Sequence, residues 1–384
     1  MKLAISADLH VDDFGSKVDP ASGLNARFVD ALNAARFVAS SARELGAEAL
    51  VIAGDYTERR TPAPPRVARI LDALKAGPDR QIHVRGNHDQ ERAGQSIVDV
   101  LGQVEGWSGF TTPGVELVGD VAVCVIPFLA PSYLRSQAGM ETASQGDLYR
   151  ALAEAYLTVA RGLYSAARRD WPEATPILVG HQQLSGGRMN ASQQAFLGDL
   201  DLVVDARALA SIGYAAVVYG HVHKAQLVLD DPACPVLFTG STHRVDFAEE
   251  FDEQSFVLLD VVDGRATVER IPIPARRFVT LDASNWPEHP EHGGPDSSIL
   301  QDAIVRVLNL PPEDDPAHVR RTLEDEGAFE VTEIRRRPVE TPESNGGLSE
   351  TLTAHEALEA YFAEDPDREV LVERGRALLA EVVA

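Results

Sequence analysis

Cysteine is almost missing from this 384-residue chain: Cys124 and Cys234 are the only two, too few for a disulfide framework. Cys124 sits inside the apolar run Val121 to Pro127, where it reads as a small buried hydrophobe. Long hydrophobic runs are missing too, since no apolar stretch approaches about 18 residues, and this excludes a membrane-spanning helix. The chain passes from Met1-Lys2-Leu3 straight into a short apolar strand with no secretory leader pattern. The expectation is a soluble cytoplasmic protein with no membrane partner. Lysine is confined to Lys2, Lys17, Lys75 and Lys224 while arginine is plentiful, a bias that points to a GC-rich coding genome and bears on origin, not mechanism. Positive charge as a whole is scarce: 35 Lys and Arg against 59 Asp and Glu give a formal charge of -24. That is the wrong sign for binding nucleic-acid phosphates unaided. Only bound divalent cations or a basic partner subunit would reconcile the two.

What is present is ordinary globular material, 44% hydrophobic and 24% charged. The length exceeds the roughly 250–300 residues at which single cores stop growing, so more than one domain is expected. Through the first two thirds one pattern recurs: a short Val-, Ile- and Leu-rich run ends abruptly at a residue able to bind metal. Lys2 to Ala7 leads to Asp8 and His10; Ala49 to Ala53 leads to Gly54-Asp55; Gln81 to Arg85 leads to Gly86-Asn87-His88-Asp89. Further on, Pro176 to Val179 leads to Gly180-His181, and Ala216 to Tyr219 leads to Gly220-His221-Val222-His223. Each run has the length and β-branched content of a buried strand. Helical spacing fills the gaps, with Phe28, Leu32, Ala35, Val38 and Ala42 recurring between Asn25 and Leu45, and a second helix from Arg66 to Leu74. Alternating strands and helices make an α/β layered domain, in which strand carboxyl ends converge on one edge.

After about Pro274 the texture changes. Ala303 to Leu310 reads as a strand, Asp315-Pro316 as a helix start, Gly327 as its end, and Phe329 to Ile334 as another strand, a small β-α-β appendage. Thr341 to Leu348 reads as a linker, and Thr353-Ala354-His355-Glu356 as a capping box that opens a helix with Leu358, Tyr361 and Phe362 on one side. Val370 to Val383 resumes as a second helix with Leu371, Leu378, Leu379 and Val382 as its apolar stripe. These helices are open to two readings, a pair packed on its own domain or a surface for a partner. The expected domains are 1–275, 276–342 and 343–384.

Asp8 and His10, two apart at a strand end, can reach one cation, yet such a pair alone also suits an ordinary strand end. Asp55 alone reads equally as a helix cap. Two imidazoles after a turn glycine at His221 and His223 are harder to explain as pure structure. The joint occurrence of Asp8, His10, Asp55, Asn87, His181, His221 and His223, each after a buried strand, points to a metal centre. Asp89 reads as a helix N-cap, and His83, inside its strand, as a packed histidine.

This set resembles the calcineurin-like metallophosphoesterase signature of D-x-H, GD, GNH[DE], GH and GHxH blocks, all present and in order. The resemblance implies a four-layer α/β/β/α sandwich with a small β-α-β capping domain and C-terminal helices. It implies two divalent metal ions, Mn²⁺ foremost: one held by Asp8, His10, Asp55 and His223, the other by Asp55, Asn87, His181 and His221. Mixed carboxylate, amide and imidazole donors suit Mn²⁺, Fe²⁺ or Zn²⁺ better than Mg²⁺. His88 matches the position that contacts the scissile phosphate and protonates the leaving alkoxide. Glu58 is the candidate carboxylate beside it, where relatives carry Asp or His; its other reading is a solvated loop residue. Arg59 and His243 are candidate substrate contacts, and Arg59 is equally readable as an exposed loop arginine.

Ile126-Pro127-Phe128-Leu129 followed by Ser136-Gln137-Ala138-Gly139 resembles a segment of the SbcD family of DNA nuclease subunits. That narrower resemblance implies double-strand exonuclease and single-strand endonuclease activity and a cap that admits or excludes DNA. It also implies terminal helices docked on an SbcC-type ATPase, and a homodimer through Arg66 to Leu74 and Gly94 to Val104. Rival readings are a protein phosphatase, since Gly54 to Arg59 resembles its GDYVDR block, a cyclic-nucleotide phosphodiesterase, or a non-catalytic scaffold that keeps the fold.

Overall fold

The computed structural model describes residues 1–89, 96–129, 145–197, 202–286, 297–337, 354–362 and 368–383. Ser136 to Gly139, the linker at 341–348, Thr353 of the expected capping box, residues 94–95 of the expected dimer stretch and the side chains of Leu378, Leu379 and Val382 lie outside them.

Seventeen strands occur among the described residues. In chain order they are β1 (Lys2–Ser6), β2 (Ala49–Ala53), β3 (Gln81–Val84), β4 (Trp107–Phe110), β5 (Gly114–Val118), β6 (Val121–Ile126), β7 (Thr175–His181), β8 (Gln183–Leu184), β9 (Val203–Val204), β10 (Val217–Gly220), β11 (Gln226–Leu229), β12 (Val236–Phe238), β13 (Ser255–Val262), β14 (Arg265–Pro272), β15 (Phe278–Asp282), β16 (Ile304–Leu310) and β17 (Glu330–Arg336). One six-stranded sheet runs β14-β13-β1-β2-β3-β4 and a second β11-β12-β10-β7-β6-β5. The strands that carry the candidate ligands are parallel within each sheet, β1 to β2 to β3 and β7 to β10, while antiparallel pairs lie at the β14, β5 and β11 edges and a parallel β4 at the fourth.

Alternation decides the layers. Leu3, Ile5, Ala49, Val51 and Ala53 point inward and pack with Val121, Val123, Val125, Ile177, Val179 and Val218 of the other sheet. The intervening Ala4, Leu50 and Ile52 pack under helix α1 (Ala26–Glu44), on Phe28, Ala31, Ala35 and Val38. On the other sheet Ala122, Cys124, Ile126, Leu178 and Tyr219 pack under the helix Gln145–Asp170. Both faces of each sheet are therefore covered, which is why these strands read as unbroken apolar runs. The result is a mixed α/β structure of helix, sheet, sheet and helix, and Cys124 and Cys234 are both free and buried in it.

Local chemistry sets the helix ends. The Asn25 side chain accepts from Phe28 N at 3.1 Å to start α1, and Asp315 caps the helix Pro316–Asp325, whose proline stands at its first turn. The appendage contains one more strand than its sequence suggests: β15, β16 and β17 form a parallel three-stranded sheet around Leu281, Val305, Val307, Leu323 and Val331. β15 escapes notice because only Phe278 and Leu281 of its five residues are buried, too few for a clear period of two. Arg276 ties this sheet to α1, bonding Asp30 at 2.7 Å and pairing with Asp302. The helices Ala354–Tyr361 and Arg368–Val383 pack on each other at Gly375, where a Cβ would come 2.5 Å from Leu358 Cδ2. No helix among the described residues is long and apolar enough to cross a membrane.

Tyr219, the residue before Gly220-His221, shares a 2.8 Å hydroxyl bond with Tyr156 in a fully buried setting. Tyr219→Phe is expected to cost about 1–3 kcal/mol by leaving the Tyr156 hydroxyl unpaired, and the double phenylalanine variant to recover most of that loss. Urea unfolding measures both; a double variant that loses the sum of the two singles contradicts the coupling.

Candidate metal centre

Asp8, His10, Asp55, Asn87, His181, His221 and His223 come from the carboxyl ends of β1, β2, β3, β7 and β10. The two sheets lie face to face, so five strand ends meet at one edge. Four of the seven residues have left-handed backbone: Asp8 at φ +54°, His10 at +37°, Asp55 at +58° and His221 at +87°. Each such residue costs on the order of 1–3 kcal/mol and persists only where its surroundings over-determine it. Here they do. Asp8 N donates to Gly54 O at 2.9 Å, His10 N to Asp55 O at 3.1 Å and Val11 N to Tyr56 O at 2.9 Å, so the first two strands stay bonded beyond their ends. His221 N donates to both carboxylate oxygens of Asp8, at 3.1 and 3.0 Å, which joins the second sheet to the first.

Among the described residues Asp89 caps no helix, and Ser96 caps the helix α3 (Ile97–Leu101). The buried Asp89 carboxylate accepts instead from Asp55 N at 2.8 Å, Tyr56 N at 3.0 Å and Gly86 N at 2.8 Å, fastening the β2 and β3 loops together. Burial first, and the charge of Asp55 second, push its pKa up. His83 is packed in the core, 2.8 Å from the Tyr56 hydroxyl and stacked near Trp107, and burial pushes it down to about 3.

Lone pairs converge at the edge. Asp55 Oδ2 lies 3.2 Å from His181 Nε2 and 3.8 Å from His10 Nε2. Asn87 Oδ1 lies 3.0 Å from His181 Nε2 and 2.8 Å from His221 Nδ1, and the Nε2 atoms of His223 and His10 face each other at 3.0 Å. The far nitrogens are already engaged: His181 Nδ1 donates to Ala53 O at 2.6 Å and His223 Nδ1 to Glu249 at 2.7 Å, leaving Nε2 toward the cluster. Ligand atoms of Asp8, His10 and His223 lie within 4.8 Å of one another, as do those of Asp8, Asp55 and His181. Two adjoining donor groups with the Asp55 carboxylate between them fit two divalent cations.

Burial opposes charge throughout the cluster, and the ion pairs outweigh it. His181 is pushed up to about 9 by Asp55, and His223 up to about 9 by Glu249, in each case against desolvation. Asp55 is held far below the carboxylate range by His181, His88 and His10 in spite of its burial.

Glu58 sits nearer His10 than His88: Oε2 is 3.0 Å from His10 Nδ1, whereas Oε1 is 3.7 Å from His88 Nδ1. Hydrogen bonding to His10 holds the Glu58 carboxyl down to about 2. His88 Nδ1 donates to the Glu58 carbonyl at 3.0 Å and His88 N to Asp55 Oδ1 at 2.8 Å. Burial works against a charged His88, but Asp55 and Glu58 raise its pKa overall. Arg59 is largely exposed, 3.4 Å from Asp12. His243 does not line the cleft; its ring is buried on the main chain, Nε2 3.1 Å from Leu9 O and Nδ1 3.2 Å from Arg244 O, so it braces the loop that carries His10.

Two contributors left no usable mark in the sequence. Glu249, fully buried and held by Ser241 Oγ at 3.0 Å and Val245 N at 3.2 Å, looks in sequence like half of an exposed Glu-Glu pair. Gln193 donates to His221 O at 2.9 Å and accepts from His223 N at 3.1 Å, yet its helix Ala191–Leu197 reads as polar surface. Together with His10, Asp55, Asn87 and His88 these elements enclose a cleft of about 210 Å³.

The family model for calcineurin-like phosphoesterases matches residues 1–225. Among solved structures the chain is similar to a dimetal phosphatase from Danio rerio, at 11% identity over 71% of this chain and 96% of that one, with a TM-score of 0.44. It is also similar to a purple acid phosphatase from yellow lupin (Lupinus luteus) seeds, at 12% identity over 71% of this chain and 51% of that one, with a TM-score of 0.42. A phosphopantetheinyl hydrolase from Mycobacterium tuberculosis shares 16% identity over 63% of this chain and 90% of that one, with a TM-score of 0.35. No curated protein matches the sequence.

A Cβ at Gly86 would collide with Asp55 Oδ1 and lie 2.5 Å from Asp55 N. Gly86→Ala is therefore expected to weaken Mn²⁺ binding about 10–100-fold in titration calorimetry; unchanged affinity refutes the placement. Cations must also displace protons from His181 and His223, which hold them up to about pH 9. Affinity should climb as pH rises toward that value and flatten above it, with proton release visible in buffers of different ionisation enthalpy.

Proposed function

The chain belongs to the calcineurin-like phosphoesterases, and from that premise we propose that it is a Mn²⁺-dependent DNA nuclease, the SbcD-type subunit of a complex with an SbcC-type ATPase. Its activities are double-strand exonuclease and single-strand endonuclease, serving DNA repair and recombination. The observation that carries this reading is the place of Ile126-Pro127-Phe128-Leu129. The segment leaves β6 so that the Phe128 ring lies 5.8 Å from the His221 ring and 6.3 Å from that of His181. One residue of that segment, Phe128, thus lies beside two of the candidate ligands. In this reading the small parallel sheet against α1 belongs to the cap of 276–342, and the helices Ala354–Tyr361 and Arg368–Val383 to the partner-binding segment of 343–384. Those helices expose Tyr361 and Val370, apolar surface suited to the ATPase partner, and that partner would supply the positive track that a charge of -24 denies this chain. A homodimer through α2 (Pro64–Leu74) and the helix α3 belongs to the same proposal.

When bound, two cations lower the pKa of a shared water and neutralise charge in an in-line displacement at phosphorus. The chain's own groups do the rest. Asp8, Asp55, Asn87 and the four ligand histidines supply the donors, and Asp89, Gln193 and Glu249 fix the loops and rings that present them. His88 Nδ1 is committed to the Glu58 carbonyl, so Nε2 is the nitrogen left to give a proton to the leaving alkoxide. The charges of Asp55 and Glu58 raise the proton affinity of that ring against the cost of its burial.

His88→Ala should lower cleavage of linear double-stranded and of single-stranded DNA about 10²–10⁴-fold while Mn²⁺ still binds. Glu58→Gln removes a charge that raises the His88 pKa, so the alkaline fall in kcat should move to lower pH. If DNA of every form survives with Mn²⁺ while a phosphopeptide or a cyclic nucleotide is hydrolysed, the nuclease reading fails and the phosphatase or cyclic-nucleotide phosphodiesterase reading replaces it.

A further inference from the structure

A second cavity, of about 400 Å³, opens between α1, His243-Arg244 and the start of the three-stranded sheet. Arg27, Arg244, Arg276 and Arg277 line it against only two carboxylates, Asp30 and Asp302. Arg276 takes both, bonding Asp30 at 2.7 and 3.0 Å and pairing with Asp302. The other three bond main-chain carbonyls alone. Arg244 donates to Glu249 O, Arg276 O and Asp252 O; Arg277 to Ser298 O and Gln301 O; Arg27 to Arg244 O at 2.6 Å and Val245 O at 3.4 Å. Among the described residues no carboxylate lies within 4.0 Å of these three guanidinium groups.

Arg27 is the telling member. It is 5% exposed, sandwiched near the Phe14 and Phe278 rings at 5.4 and 5.0 Å. Burial pulls its pKa down to about 10, which still leaves it charged at neutral pH. Both of its bonds leave from Nη2, so Nε and Nη1 remain as donors for a ligand. Carbonyl dipoles solvate a guanidinium without cancelling its charge, and Asp30 favours the Arg27 cation only from beyond ion-pair distance, so this buried cation has no directly paired carboxylate among the described residues. It is the more notable in a chain of net charge -24.

We infer that this cavity binds a phosphate group, with Arg27 and Arg277 as its ligands. Guanidinium forks match tetrahedral oxyanions, and both carboxylates that line the cavity are already paired with Arg276. The site is separate from the metal centre but shares a wall with it: His243 and Arg244 line the cavity, while Val245 and Asp246 line the catalytic cleft. The phosphate belongs either to a free nucleotide or to a polynucleotide backbone passing the cleft. The polynucleotide source rests on the nuclease reading; the free nucleotide does not.

Calorimetric titration of the full chain in EDTA with inorganic phosphate, adenosine monophosphate and a short single-stranded oligonucleotide separates the cases, because EDTA removes metal-held phosphate. Saturable phosphate binding is expected, kept in Asp55→Asn and weakened at least about tenfold in Arg277→Ala, an exposed position that leaves the fold alone, and in Arg27→Gln. Thermal melts with and without phosphate check that the variants are folded. Tighter binding of the oligonucleotide through the same arginines assigns the site to a backbone phosphate; tighter binding of the mononucleotide assigns it to a free nucleotide. Absence of binding, or binding abolished by Asp55→Asn and untouched by the arginine variants, overturns the inference.

Discussion

Asp55 keeps a negative charge at a buried position, and much of the catalytic edge is arranged around that charge. An isolated carboxylate there would cost several kcal/mol and would take up a proton instead. Four surrounding groups prevent this: His181 and His10 offer imidazoles on one side, His88 N donates to Oδ1, and His88 itself carries charge nearby. The same arrangement raises the proton affinity of His181 against the cost of its burial.

Those loops are kept in unfavourable conformations by main-chain bonds that outlast the strands. Left-handed backbone at Asp8, His10, Asp55 and His221 turns each side chain back toward the gap between the sheets. The compensation comes from Asp89, whose one carboxylate serves three amides, and from Asp8, which receives His221 N. The strain is thus shared between two sheets, each of which is fixed by an apolar layer on both faces. Rigid layers and strained exits are complementary: without the first, the second would relax.

Charge is distributed unevenly over the molecule. Asp and Glu outnumber Lys and Arg by 59 to 35 in the sequence, while arginines without directly paired carboxylates gather where α1 meets the small sheet. The segment 243–246 connects these two environments, with His243 braced on the His10 loop and Arg244 fastened to three carbonyls. Glu249, three residues beyond that segment, orients His223, and the adjoining Glu250 accepts from Thr280 N at 2.7 Å in the small sheet. Catalytic edge and appendage are therefore linked through a few consecutive residues.

The sequence by itself determined the strands that lead to the candidate ligands and the residue types at their ends, because a strand buried on both faces is a continuous apolar run that stops where a polar residue begins. It determined α1 and the Asp315-Pro316 helix start for equally local reasons. Tertiary structure alone decided the rest. Asp8 meets His221 across 213 positions, Glu249 turns inward to His223, Asp89 serves amides from β2 and β3 instead of a helix, and Glu58 settles on His10 in preference to His88. β15 also emerged only in the folded chain, since its partner β16 supplies the pairing that its own pattern does not announce. Residue type and period are properties of a short window, whereas a carboxylate's partner depends on which loops two stacked sheets bring within about 3 Å of it.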